Sequence, residues 1–403
     1  MIYVSENKAQ IVKGDFLPAQ FYKGDKKIAG YEKETFEGEG TITLENCYND
    51  KLYGAKLTGN CVQEETPSPE APVEIKSVGD LVAEGEYSGK YKIGVTARGK
   101  NLFDSDLWLP YFDKLEDGSY KANRNINTSH KADCFLPEGT YRLSYDMKCP
   151  KGKNYSLVLY NLSGDYAYYS WKASNGEWTH RTHIVNLTED AHFIGWNYSE
   201  QTNELFFKNL QIEKGNEETQ FEPYKAPQAF ELYLEEPLCK IGEYEDYIDF
   251  ENKKVVRNTS IKSFTGTEGW YRQEYRLYSK CGGRNPLDSN VCHLLNNRFE
   301  SYTWTKLAGN VLKEEGNRII GTALQPGSYF CVTPAQVIPT IDEWKTQLSV
   351  WNDEGAPFTV VYVDATREEA IDLPTLPTFK GTTNYEITTD INAGISGEYK
   401  RME

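Results

Sequence analysis

The stretch Lys208–Lys225, KNLQIEKGNEETQFEPYK, carries an alternating run into a glycine, a charged tract and an aromatic-proline pair. Leu210 and Ile212 point one way and Gln211 and Glu213 the other, the mark of a strand with one buried face. Gly215 stops the run. After a polar turn, Phe221, Pro223 and Tyr224 offer apolar bodies to lie over the edge of a finished sheet, and Pro223 blocks further ladder pairing there. The pattern predicts the end of a β-sandwich.

Upstream, GTYRLSYDMKC alternates without fault, with Tyr141, Leu143, Tyr145 and Met147 on one face and Arg142, Ser144, Asp146 and Lys148 on the other. NYSLVLYNLSGDYAYYSWK, EWTHRTHIVNL and AHFIGWNYS add strands at the short regular spacing of sandwiches and jelly rolls. The expected fold is all-β and mainly antiparallel: a small N-terminal β docking unit over 1–62, a Pro-containing linker or strap over 63–98, a jelly roll over 99–226 and a second jelly-roll-like β region over 227–403. Within 1–62, QFYKGDKKIAGYEKE reads as two strands about a turn at Gly24-Asp25, and EGEGTITLENC as a strand with Ile42 and Leu44 on one face. So small a unit should pack on a neighbour. Pro67, Pro69 and Pro72 keep the following segment extended.

The last region holds the one clear helical signal, near 341–353. Thr340 and Glu343 make a capping-box pattern, and Ile341, Trp344, Leu348 and Trp351 recur at helical spacing until Gly355. FTVVYV follows without alternation, a strand expected to be buried on both faces with the helix as one cover.

At 403 residues the chain has room for two to four units of roughly 100–200 residues. Its 29 Tyr, 32 Gly and only three Met favour strands joined by turns over helical bundles. A net charge of −16 argues against a nucleic-acid partner, because phosphate binding needs a basic field. No apolar run reaches the about 18 residues of a membrane span, and MIYVSENKAQIVKGDF lacks a signal peptide's apolar core, so synthesis in a cytoplasm is expected. The eight cysteines are dispersed, without CxxC spacing, and read as free thiols. Neither Cys292–His293 nor His180 and His183 fall on one strand face, so no metal held by these residues is expected, and no cofactor either; a structural calcium stays open by analogy with jelly rolls, with no Asp-rich loop to name its ligands. GxSxG, HExxH and P-loop patterns are absent, and CGGRNP, Cys281 to Pro286, reads as a turn; the reading is non-enzymatic.

Five strings in order, TPSPEAPVEIKSVGDL, GKNLFD, NLQIEKGNEETQFEPYK, KIGEYEDYIDFENKKVVRN and LPTLPTFKGTTNYEI, resemble the tail and baseplate proteins of phages and prophages of Gram-positive bacteria. They cover roughly residues 60 to 390. The resemblance implies a structural protein of the virion's tail tip or baseplate, with carbohydrate-binding-module-like jelly rolls, folded in the host cytoplasm and often homotrimeric. Its implied partners are other tail and baseplate proteins and host cell-wall polysaccharide. That family has no fixed ligand set, so no site residue carries over by position. No coiled-coil or triple-stranded shaft is present, which favours a compact tip over a long fibre.

Sugar binding needs displayed rings, since pyranose C–H patches stack on aromatic faces while amides and carboxylates bond the hydroxyls. SGDYAYYSWK offers Asp165, Tyr166, Tyr168, Tyr169 and Trp171 beside a Ser163-Gly164 turn; alternating rings also serve cores and subunit contacts. Trp196 and Tyr198, on one face of FIGWNYS, form a second candidate platform. Trp178, opening a strand after a turn, reads as core. Two competing functions stay open: an architectural connector, if the rings are buried between subunits, and a polysaccharide depolymerase, if carboxylates converge in a cleft.

Overall fold

The computed structural model describes residues 2–5, 8–11, 20–23, 26–169, 173–198, 202–273, 276–281, 294–301, 318–323, 328–333 and 339–402. The Gly24-Asp25 turn, Cys292–His293 and the 282–286 turn lie outside them. The described residues are all-β and mainly antiparallel, with one α-helix, Ile341–Asp353. No described helix is long and apolar enough to cross a membrane.

Strands from both ends of the chain build one connected sheet. Lys26–Glu39 pairs antiparallel with Gly394–Met402, from Gly394↔Glu39 to Met402↔Tyr31. Gly381–Thr388 pairs with Thr41–Cys47 and also with Tyr91–Arg98. Tyr53–Thr58 pairs with Tyr247–Asp249, which continues to Lys254–Phe264 and Phe358–Ala370. Three of the four segments distinguished in the sequence thus contribute to one scaffold. Its core joins Ile42, Leu44 and Leu57 to Ile93, Val95, Leu232, Ile248, Tyr385 and Ile395. The N-terminal strands are too few to enclose a core, and the C-terminal strands supply the apolar partners they lack.

Two strand pairs of this scaffold open into insertions. Tyr91–Arg98 and Gln228–Leu234 pair up to Ala97↔Gln228, and the chain between them forms the sandwich. Its five-stranded sheet runs Phe112–Lys114, Tyr120–Ala122, Phe206–Lys214, Gly139–Lys148, Thr179–Leu187; its four-stranded sheet runs Lys131–Leu136, Ala191–Tyr198, Tyr155–Tyr160, Tyr166–Tyr169. Tyr141, Leu143, Tyr145 and Met147 all face the core, as their alternation requires, beside Leu210, Ile212 and the Trp108 ring, which meets Phe112 edge-on at 5.6 Å. The second insertion leaves at Phe264 and returns at its partner Phe358. There Thr340 Oγ1 accepts from the Glu343 N–H at 3.2 Å while the Glu343 carboxylate accepts from the Thr340 N–H at 2.8 Å, closing the expected capping box. Val360 and Tyr362 pack toward the helix cluster and Val361 and Val363 toward Cys239, which buries FTVVYV on both faces. The Pro-containing strap docks here: Pro69 O accepts from Arg298 Nη1 at 2.7 Å, and the Val73 N–H donates to Asn297 O at 2.9 Å.

The closing stretch ends the sandwich by a polar route. Phe221 stands 40% exposed and Pro223 is exposed too, so the apolar cover expected from the sequence is not made by these residues. Instead the tract after Gly215 folds back over the outward Gln211 and Glu213, leaving them 0% and 4% exposed. Glu213 accepts from the Thr219 N–H at 3.1 Å and from its hydroxyl at 2.7 Å, and Gln211 Oε1 accepts from the Glu222 N–H at 2.8 Å. Buried polar groups require partners, and this tract supplies them. Asn101 joins the segment that enters the sandwich to the one that leaves it: it donates to Leu210 O and Glu222 O and accepts from the N–H groups of Phe103 and Ile212. The Glu222 carboxylate crosses to the scaffold, accepting from the Thr382 N–H and hydroxyl, both at 2.8 Å. The stretch is a clasp between insertion and scaffold.

Candidate carbohydrate-binding face of the inserted sandwich

The hairpin between Tyr155–Tyr160 and Tyr166–Tyr169 turns through Asn161-Leu162-Ser163-Gly164-Asp165. The Asn161 N–H donates to Asp165 O at 3.0 Å, Asn161 Oδ1 accepts from the Asp165 N–H at 2.9 Å, and Gly164 takes the positive φ, 88°, that the turn demands. The ladder runs Val158↔Tyr169 and Leu159↔Tyr168, then jumps to Tyr160↔Tyr166. Ala167 is the extra residue of a bulge, and a bulge changes which face the next side chain takes.

Simple alternation puts Tyr166 and Tyr168 together; the bulge parts them. Tyr168 is half-buried against the sandwich core, its ring 6.2 Å from His183. Tyr166 is 50% exposed on the outer face, its ring 5.3 Å from that of Tyr160. Tyr160 lies beneath, buried, with a hydroxyl that meets no partner among the described residues, and burial pushes its phenol up to about 12. A Cβ at Gly195 would come within 2.8 Å of the Tyr160 ring, so the absence of a side chain there lets the phenol lie against the sheet. The Lys131 ammonium sits 3.8 Å from the Tyr160 ring centre and 5.9 Å from that of Phe193. Asp165 is exposed at the turn beside them.

Of the residues singled out from the sequence, the structure therefore brings Asp165 and Tyr166 to one exposed edge. Tyr168 belongs to the core side. Trp171 and the side chains of Tyr169 and Tyr198 lie outside the described residues. Trp196, expected as a platform, is instead wholly buried: its ring meets Trp108 at 6.3 Å, Tyr145 at 5.8 Å and Phe207 at 5.6 Å. It sits opposite Leu157 on the inward row, a parity that alternation alone does not assign to inside or outside. Tyr160, Phe193, Lys131 and Gly195 escaped the sequence reading because Tyr160 and Gly195 act only through the pairing of their strands.

Trp178 reverses in the other direction. Read as core, it is 37% exposed at the end of the five-stranded sheet, with the Lys208 ammonium 4.6 Å above its ring and Phe206 at 6.4 Å. Nearby, His180 bridges two carboxylates, with Nδ1 2.8 Å from Asp146 and Nε2 2.6 Å from Glu218. Burial works against the charged ring, yet the bonds to Asp146 and Glu218 outweigh it and raise His180 above its ordinary value. His180 thus holds a clasp residue to the sheet. Among the described residues no group of three His, Cys, Asp or Glu is placed to hold a metal ion.

No family model matches the chain, and no curated protein matches it. Among solved structures, the chain is similar to the VP2 subviral particle of infectious bursal disease virus at 8% identity, covering 93% of this chain and 82% of that one, with a TM-score of 0.15. The Gx strain of the same virus matches at 7% identity, over 92% and 81% of the two chains, with a TM-score of 0.13. Scores this low carry no argument about function, and the reading of the face rests on its own geometry.

Proposed function

We propose that the chain is a structural component of a phage tail tip or baseplate whose inserted sandwich attaches to host-surface glycan through the face bearing Tyr166. The observation that carries this reading is Tyr166, half-exposed over the buried Tyr160 and flanked by Lys131, Phe193 and Asp165. A sugar ring laid on the Tyr166 ring would stack its C–H face, while Lys131 and Asp165 stand near for its hydroxyl groups. Two of the tail-protein-like strings, GKNLFD and NLQIEKGNEETQFEPYK, supply Lys100, Asn101, Gln211, Glu213 and Glu222 to the clasp, so the resemblance falls on the device that mounts the sandwich. A homotrimer would multiply a weak single-site affinity through valency.

The test is binding of the purified chain to cell walls from Gram-positive hosts, parent against Tyr166→Ala, with circular dichroism to show that both are folded. Saturable binding that the variant weakens by about tenfold or more supports the reading. Unchanged binding, or none by the folded parent to the walls of a host the phage infects, overturns it. A second reading, an architectural connector, draws on Phe135, 61% exposed, and Leu162, 71% exposed, which suit a subunit contact as well as any ligand.

A further inference from the structure

The outer face of the five-stranded sheet carries a separate row of side chains. Lys121 lies opposite Phe206, Phe206 opposite Lys148, and Trp178 continues the ladder one residue beyond the Met147↔Thr179 pair. The inward partners of this row, Tyr120, Phe207 and Met147, are core residues, so Lys121, Phe206, Lys148 and Trp178 share the outward side across four adjacent strands. The Lys121 ammonium is 5.7 Å from the Phe206 ring centre, and Lys208, two residues along the same strand, caps Trp178.

Two features separate this row from an ordinary solvated strand face. In a chain of net charge −16, two lysines stand in the row and Lys208 stands beside it, and among the described residues none of the three makes an ion pair with a carboxylate. Asp146 beside them is engaged by His180 and Asn209, and the Asp117 carboxyl is held low by its Ser119 hydrogen bonds first, with the Lys208 charge contributing. Second, the ammonium groups of Lys121 and Lys208 rest over aromatic rings, which keeps them at the sheet surface. Strands stand about 4.8 Å apart, so Lys121 and Lys148, two strands apart, are separated by roughly 10 Å along the row, with Lys208 between.

The geometry points to a second binding site on this face, for a linear carbohydrate polymer that bears an anionic group on each repeat, its sugar or polyol units lying on Trp178 and Phe206 and its charges meeting Lys121, Lys148 and Lys208. A single small anion would use one lysine; a spaced row matches repeated charge. The site lies on the opposite sheet from Tyr166 and does not depend on the role proposed for that residue.

The experiment compares the full chain's binding to polyglycerol phosphate, polygalacturonate, neutral dextran and single-stranded DNA, with Lys121→Gln/Lys148→Gln/Lys208→Gln and Trp178→Ala as separate variants. The expected result is binding to one or both anionic carbohydrates that falls roughly tenfold on raising salt from low to physiological strength, is lost in the triple variant, weakens in Trp178→Ala and persists in Tyr166→Ala. The phosphate and carboxylate arms identify which anion the row takes. Equal binding to dextran overturns the charge requirement, equal binding to DNA overturns the carbohydrate requirement, and binding to neither anionic polymer by the folded parent overturns the site.

Discussion

The two outer faces of the inserted sandwich share one core and differ in how they came to display their rings. On the four-stranded sheet a bulge at Ala167 and the bare Gly195 set Tyr166 over Tyr160. On the five-stranded sheet the pairing runs regularly from Lys148↔Phe206 to Asp146↔Lys208, short of the register shift between Asp146 and Ser144, and carries Lys121, Phe206, Lys148 and Trp178 across in a row. The first face is made at a bulge and a bare glycine; the second is made by a regularly paired stretch that ends beside a bulge of its own. Changes at Ala167 or Gly195 should therefore disturb the first face and spare the second, whereas damage to the shared core should disable both.

The largest effect is expected from the shared core. Leu143→Ala, at a site 1% exposed between the sheets, should cost roughly 2–5 kcal/mol and abolish binding at both faces together, read by chemical denaturation and by the two binding assays. Loss at one face with the other intact would mean the faces do not share that core. Next comes the clasp: Asn101→Ala strands the Leu210 and Glu222 carbonyls and the Phe103 and Ile212 N–H groups. It should cost about 1–3 kcal/mol and open the junctions near residues 99 and 226 to limited proteolysis before either face unfolds.

Gly195→Ala sharpens the comparison itself. The added Cβ meets the Tyr160 ring at 2.8 Å, so the phenol must shift at a cost of about 1–3 kcal/mol, with loss at the Tyr166 face and no change at the Trp178 row. Equal loss at both would show that the bulged face is not independent. The smallest effect is a pH dependence from His180. Its folded value is raised, so the stability it contributes is complete below its unfolded value near 6.5 and is lost as pH climbs through the raised folded value. Glu218 works in the opposite sense. Burial resists its ionisation, but bonds to Thr182 and His180 lower its value, so its contribution is present above the ordinary carboxylate range and is lost on acidification. Stability carried by this pair should peak between the two, and His180→Gln should flatten its alkaline side in melts recorded from pH 4 to 9.

Much of the frame was legible in the sequence because it depends on local periodicity. The Tyr141–Met147 alternation, the Thr340–Glu343 capping box and the two-sided burial of FTVVYV each follow from residues adjacent in the chain. The clasp was half legible: Gln211 and Glu213 do face outward, but alternation reports a direction and not what comes to lie on top. The pairing of Lys26–Glu39 with Gly394–Met402 joins residues more than 350 positions apart, which no local pattern encodes. At the candidate face, Tyr166 is exposed, as its setting beside a turn implied, while Tyr168 is turned to the core side by one inserted residue and Trp196 by parity. An aromatic on a strand has two choices of side, and only the partner strand decides between them.

The most direct test of the central claim is a titration of the folded chain against cell walls of Gram-positive hosts, parent beside Tyr166→Ala. The account predicts saturable binding by the parent and a loss of about tenfold or more in the variant at unchanged thermal stability. Equal binding by both proteins would contradict it.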